Sequence, residues 1–138
     1  MLFCKRQING DKFQKTFVSS EHTKRHIAHN LNHNSIYQYR VDGDLITHEK
    51  QLRCDFLLEN EDTKRVYFIE LKGSDLIHAV EQVENTIRLF SQIIEGYAVL
   101  PRIVCRSNTH NLQLSKVLKF RQAYPSSLIQ NNVIEENI

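Results

Sequence analysis

The residues best suited to chemistry lie at the end of an apolar run, residues 66–73, with the sequence VYFIELKG. Side chains alternate along a strand, so Glu70 and Lys72 are expected to point to one face while Ile69 and Leu71 point to the other. Burying a lone carboxylate or ammonium is far costlier than burying an apolar group. The pair therefore needs compensation, either from each other or from a ligand.

Asp55 adds a second carboxylate, on the strand expected to pair with that of Glu70. Two unit charges 4 Å apart repel by roughly 4 kcal/mol at an effective dielectric of 20, and a divalent cation between them reverses that sign. Oxygen ligands favour Mg²⁺, which leaves positions open for water and phosphate. Lys72 would then orient the attacking water or neutralise charge on the phosphate. These parts suit phosphodiester hydrolysis; the simpler interpretation is a structural Glu–Lys pair at an exposed strand end.

The elements that must position these residues follow from hydrophobic periodicity. The pattern predicts an α/β fold in the order α-β-β-β-α-β-α-β, a mixed sheet flanked by helices. The predicted helices cover residues 19–34, 75–95 and 111–124, and the predicted strands cover residues 35–41, 51–59, 64–72, 97–106 and 127–135.

Composition bounds the class of protein. The chain has 138 residues, 41% of them hydrophobic, which suits a single domain over residues 1–138. No apolar run approaches the roughly 20 residues that cross a bilayer, and the N-terminus turns polar too soon for a signal peptide. Three separated cysteines argue against a disulfide scaffold and favour the reducing cytoplasm.

Charge is unevenly distributed although the net charge is only +2. Residues 27–95 hold twelve acidic and seven basic side chains, whereas residues 96–134 hold five basic and no acidic ones. Basic segments flanking an acidic centre are consistent with a phosphate-binding rim around a metal site. An ordinary scatter of surface charge explains the same counts.

Residues 54–73, CDFLLENEDTKRVYFIELKG, resemble the core motif of the PD-(D/E)xK nuclease superfamily, which includes restriction endonucleases and Holliday-junction resolvases. Asp55 matches the Asp position, Glu70 the acidic position and Lys72 the motif lysine. Cys54 stands where the family often has proline. The predicted α-β-β-β-α-β order, over roughly residues 19–106, is similar to the family core.

The resemblance implies that Asp55, Glu70 and the backbone carbonyl of Leu71 hold Mg²⁺ or Mn²⁺. Many members add an acidic residue from the first helix, and Glu21 fits that role near the margin of the apolar face of the predicted helix. The alternative for Glu21 is a helix-start carboxylate favoured by the macrodipole. The family also places a polar residue on the helix that follows the motif lysine, and Gln82 is our candidate.

Four histidines spaced four, three and four residues apart would form one stripe on the predicted first helix: His22, His26, His29 and His33. Such spacing invites a zinc hypothesis. The stripe lies nearly opposite the apolar face, however, so we interpret it as a solvent-facing surface that becomes basic below about pH 6.5. Lys24 falls on the apolar face of that helix, where it could contact a phosphate.

Weaker candidates have ordinary structural explanations. Ser74 and His78 fit a helix cap and a solvated helix face, and Asp44 fits a turn. A further group of cations could bind backbone phosphates: Arg102, Arg106, Lys116, Lys119 and Arg121.

The function predicted from the sequence is a metal-dependent nuclease, most simply a DNA endonuclease, with RNA not distinguished. The alternatives are a catalytically inactive nuclease-like fold that binds nucleic acid or protein, and an α/β protein in which the Glu–Lys pair is structural. A chain this short has little surface to grip a duplex, so a homodimer would help. Apolar residues near the C-terminus, such as Val133 and Ile134, could then pair across its axis.

Overall fold

The computed structural model describes residues 1–71, 75–106 and 114–138, and this part of the chain is a mixed α/β structure. The strands before the first helix are β1 (Asn9–Gly10), β2 (Thr16–Glu21), β3 (Lys24–His29), β4 (Ile36–Arg40), β5 (Phe56–Asn60) and β6 (Arg65–Leu71). The remaining elements are α1 (Leu76–Phe90), β7 (Ala98–Cys105), α2 (Ser115–Ala123), β8 (Leu128–Asn131) and β9 (Val133–Asn137). Neither described helix is long and apolar enough to cross a bilayer.

The larger sheet has the strand order β1-β4-β5-β6-β7-β8. β4, β5 and β6 form an antiparallel meander, and α1 then carries the chain to β7, which is parallel to β6. β6 is almost continuously apolar because both of its faces are covered. Val66 and Phe68 pack with the helices, whereas Tyr67 and Ile69 pack on the opposite side.

α1 forms because its apolar residues recur at spacings of three and four and so make one buried face. The Asp75 side chain caps the helix by accepting a hydrogen bond from the backbone N–H of His78 at 3.0 Å. The helix ends at Phe90, earlier than predicted, and turns lead to Gly96, whose φ of +87° suits glycine.

The helix predicted over residues 19–34 is wrong, because this segment belongs to a hairpin formed by β2 and β3. His22 occupies the turn with a left-handed φ of +52°. Together with β9, this hairpin makes a second sheet in the order β2-β3-β9. Burial alternates with the period of a strand, but several of the buried positions carry polar side chains, which hid the alternation: Ser19, Lys24, His26 and Asn30.

The prediction that the four histidines form one solvent-facing stripe on a helix is consequently also wrong. His26 is fully buried, and its Nε2 lies 2.8 Å from Glu136 Oε2. His29 is half-buried, with its Nε2 2.7 Å from Glu135 Oε2. Only His22 and His33 of the four are exposed.

The C-terminal segment is two strands rather than the single edge strand predicted over residues 127–135. Asn132, with a φ of +64°, separates β8 in the larger sheet from β9 in the smaller one. β9 runs parallel to β3 and buries Ile134 in the core. Ile134 is therefore not available to the predicted dimer axis, whereas Val133 is exposed.

The two sheets and the helices form three layers. One apolar cluster joins α1 and α2 to one face of the larger sheet, and a second joins the opposite face to the smaller sheet. Burial of apolar surface contributes about 25 cal/mol per Å² and stabilises both interfaces. The start of β5 and the C-terminal ends of β6 and β7 are thereby held between α1 and the β2–β3 hairpin.

Candidate active site

Asp55 is fixed immediately before β5 by hydrogen bonds of its backbone and its side chain. Its backbone N–H donates to the Ile69 carbonyl at 3.1 Å, and its carbonyl accepts from the Val41 N–H at 2.8 Å. Its Oδ2 accepts from the Leu71 N–H at 2.8 Å. These bonds hold the Asp55 carboxylate at the C-terminal end of β6.

Glu70 lies on β6 with its side chain on the helix side of the sheet, opposite to Ile69 and Leu71. It is only 1% exposed. The pKa of the neighbouring Cys54 thiol is raised well above its usual value, first by burial and then by the negative charge of Glu70. A buried carboxylate thus faces α1 beside Asp55.

Glu21 reaches the same place from the end of β2, not from a helix. The pKa of its carboxyl is raised from the ordinary 4.5, chiefly by desolvation and then by the charge of Asp55 and a hydrogen bond with it. A carboxyl with this environment holds its proton more readily because the neighbouring carboxylate repels its charged form.

Gln82 connects α1 to the segment that precedes Asp55. Its Nε2 donates to the Arg53 carbonyl at 3.0 Å, and Asn85 Nδ2 donates to the Leu52 carbonyl at 2.6 Å. Thr86 Oγ1 accepts from the Cys54 N–H at 2.9 Å. The buried Gln82 Oε1 has no hydrogen-bond partner in the described part of the chain. Gln82 therefore positions the Asp55 segment while its side-chain oxygen lies at the site.

Asp55, Glu70, Glu21 and Gln82 all line one cavity of about 610 Å³. Its acidic lining comes from four separate segments: Glu21, Asp42, Asp55 and Glu70. Lys24 and Arg106 supply positive charge, and the rest of the described lining consists of His22, Thr23, Leu71 and Gln82. We call this space the carboxylate cavity.

Asp42 is the residue of this cavity that sequence reasoning missed. It follows β4, and its backbone N–H donates to the Asp55 carbonyl at 3.3 Å. β4 and β5 are antiparallel and pair Arg40 with Phe56, so the two residues that follow β4 lie beside the two that precede β5, and that register was the available signal. Asp42 Oδ1 also accepts a hydrogen bond from Arg53 Nε at 2.7 Å, so its charge already has a partner.

Other predicted residues are placed differently. Lys72 and Ser74 lie outside the described residues. Asp44 and His78 do not line the carboxylate cavity.

The predicted cations separate into distinct groups. Arg102 is not a surface phosphate ligand: it is 4% exposed, and it bonds Glu136 through Nε at 2.6 Å and Nη2 at 3.0 Å. Lys116 and Lys119 line a different groove, between α1 and α2. Arg121 is exposed on α2. Arg106 alone of the five lines the carboxylate cavity.

The chemistry of the cavity fits a hard divalent cation. Glu21, Asp55 and Glu70 offer carboxylate oxygens, the ligands that Mg²⁺ prefers. Two of these acids, Glu21 and Asp55, form no ion pair in the described part of the chain. Among the described residues, no group of three or more His, Cys, Asp or Glu side chains is arranged closely enough to hold a metal ion.

Comparison of the chain with models of protein families, with curated proteins and with solved structures gave no match.

Proposed function

We propose that this chain is a metal-dependent phosphodiesterase, most simply a DNA endonuclease of the PD-(D/E)xK type with a restriction-endonuclease-like core. One observation carries the proposal: Glu21, Asp55 and Glu70, distant in sequence, line one cavity at the end of β6. The order β4-β5-β6-α1-β7, an antiparallel meander followed by a parallel strand, agrees with the core that the motif resemblance implies. The first helix of that core is replaced by the β2–β3 hairpin.

In this proposal, Asp55, Glu70, Glu21 and the Leu71 carbonyl would hold Mg²⁺ or Mn²⁺. The bound ion would supply Lewis-acid activation of a water molecule and of the phosphate. Asp55 is kept in place by the Leu71 N–H, and Gln82 holds the preceding backbone. Lys72, two residues after Glu70 in the motif, would orient the attacking water.

A second candidate function is binding of nucleic acid without catalysis. The Gln82 amide donates a hydrogen bond to a backbone carbonyl, and no three described carboxylates are arranged closely enough to hold a metal ion. A cavity of this kind, lined also by Lys24 and Arg106, could accept a phosphate without cutting it. Turnover separates the two functions.

The test is cleavage of labelled circular, linear, single-stranded and branched DNA, with an RNA strand in parallel, in Mg²⁺, Mn²⁺ or EDTA. We expect metal-dependent cutting by the natural chain. Loss of a metal ligand should lower the rate by at least about 100-fold, since even outer-shell partners of a metal typically change activity 10–100-fold. Asp55→Asn and Glu70→Gln remove a metal ligand, and Lys72→Ala removes the ammonium that is expected to orient the attacking water.

Glu84→Gln is the matched control, because Glu84 forms an exposed ion pair with Lys116 on the far side of α1. It should cut at the rate of the natural chain. Cutting that survives in Glu70→Gln would contradict the proposed site, and no cutting under any condition would favour the binding function. A sizing measurement on the same samples tests the expected homodimer, which a monomer at micromolar concentration would contradict.

A further inference from the structure

The tip of the β2–β3 hairpin brings one acid and one base to the carboxylate cavity. Glu21 and Lys24 are directly opposed in the hairpin register, on either side of the turn at His22. Opposed residues of an antiparallel pair point to the same face of the sheet. The next pair on that face, Ser19 and His26, is buried against the larger sheet. Both Glu21 and Lys24 line the cavity.

Lys24 is unusual because most of the residue is buried although its ammonium has no ion-pair partner among the described residues. The residue is 7% exposed, and its side chain forms no ion pair or hydrogen bond in the described part of the chain. Lysine is almost never this buried unless it is paired. An ammonium is costly to remove from water without compensation, so this lysine at a cavity wall is available to an anion that enters the cavity.

The Lys24 side chain lies near the end of β7. Burial raises the pKa of the Cys105 thiol, and the positive charge of Lys24 partly opposes that increase, which locates the ammonium near the end of β7. Arg106, the next residue, also lines the cavity. The cations therefore come from β3 and the end of β7, whereas Asp55 and Glu70 come from the neighbouring β5 and β6 side.

We infer that Lys24 binds a non-bridging oxygen of the substrate phosphate, with Arg106 beside it. This inference rests on the proposed function and names the contact by which the same cavity takes a phosphodiester. An ammonium is a point-charge ligand for phosphate and makes charge-assisted hydrogen bonds to it. Lys24 thus differs from Lys72, whose expected role concerns the attacking water.

The test is binding of a fluorescein-labelled DNA duplex with Ca²⁺ in place of Mg²⁺, measured by anisotropy over a series of salt concentrations. Lys24→Met should weaken binding about ten-fold, the size expected for one charge-assisted hydrogen bond. It should also lower the slope of log affinity against log salt by about 1, because one phosphate contact is lost. Lys24→Gln should behave in the same way.

Arg25→Met is the matched control, since Arg25 is the next residue of β3 and is exposed on the outer face of the same hairpin. Its affinity should stay within two-fold of that of the natural chain, and its salt slope should change by much less than about 1. Urea unfolding should show that Lys24→Met is at least as stable as the natural chain, because the change keeps the apolar stem and removes an ammonium that has no ion-pair partner among the described residues.

The outcomes distinguish this inference from the proposed function. Unchanged affinity and salt slope in Lys24→Met, with cutting lost in Glu70→Gln, would overturn the Lys24 contact and leave the nuclease standing. Weaker binding by Lys24→Met without any cutting by the natural chain would keep the contact and overturn catalysis. A natural chain that does not bind the duplex would overturn the Lys24 contact itself.

Discussion

Two glutamates of the smaller sheet, Glu136 and Glu21, show how differently this fold treats a carboxylate. They lie on β9 and β2, the strands on either side of β3. Glu136 is held by Arg102 through both carboxylate oxygens, at 2.6 and 3.0 Å, and by His26 at 2.8 Å. Glu21 instead faces the carboxylate of Asp55.

Their pKa values shift in opposite directions for this reason. Burial alone would raise the pKa of Glu136, but the hydrogen bonds from His26 and Arg102 outweigh burial and lower it. For Glu21, burial and the charge of Asp55 act together and raise the pKa. A carboxylate neutralised by the protein itself is structural, whereas carboxylates that repel each other in a cavity are available to a cation from solution.

The largest expected effect comes from breaking the structural member of this comparison. Arg102→Ala would leave Glu136 in a half-buried position without its guanidinium partner. Removing one member of a buried ion pair typically costs about 3–5 kcal/mol. Urea unfolding followed by circular dichroism should show a loss of this size in the free energy of unfolding.

Lys116→Ala provides the comparison for that measurement, because it breaks the exposed pair with Glu84. Such surface pairs contribute less than about 1 kcal/mol. Equal losses in the two variants would mean that the Glu136 ion pair does not stabilise the fold as described.

A smaller effect is expected from pH in the absence of divalent metal. The lowered pKa of Glu136 contributes stability that is present above the ordinary value of 4.5 and is lost as pH falls through the folded-state pKa. The raised pKa of Glu21 works the other way, since the folded state binds the proton more tightly. Its unfavourable contribution is complete above the raised pKa and disappears as pH falls below 4.5.

Unfolding of Glu136→Gln and Glu21→Gln across this pH range measures both contributions. Glu136→Gln should have a lower free energy of unfolding than the natural chain, and this difference should shrink as pH falls. Glu21→Gln should be slightly more stable than the natural chain at neutral pH, by less than about 1 kcal/mol because solvent screens this exposed residue. For each variant, the difference in free energy of unfolding from the natural chain is plotted against pH. If the two plots had slopes of the same sign, the distinction between the carboxylates would be contradicted.

The same comparison shows what the sequence could predict. β4, β5, β6, α1 and β7 were predicted with boundaries within about five residues because their apolar periodicity matches their burial. The placement of Asp55 beside the end of β6 followed from a simple hairpin between consecutive strands. Local patterns were sufficient where each buried face is apolar.

The failures occur where buried positions are polar. Lys24 and His26 occupy inward positions of β3, so the strand period was hidden and a helix was predicted. Arg102 was interpreted as a surface cation because its partner, Glu136, lies on a strand whose pairing with β3 is far away in sequence. Long-range pairing of this kind leaves no local signal.

The most direct test of the account is calorimetric titration of the natural chain, Glu70→Gln and Glu84→Gln with Mn²⁺ at neutral pH. The carboxylate cavity predicts one bound ion per chain in the natural protein and in Glu84→Gln. In Glu70→Gln, affinity should fall by more than about ten-fold, the lower end of the effect of outer-shell partners. Absence of binding by the natural chain, or equal binding by Glu70→Gln, would contradict a metal site at the end of β6.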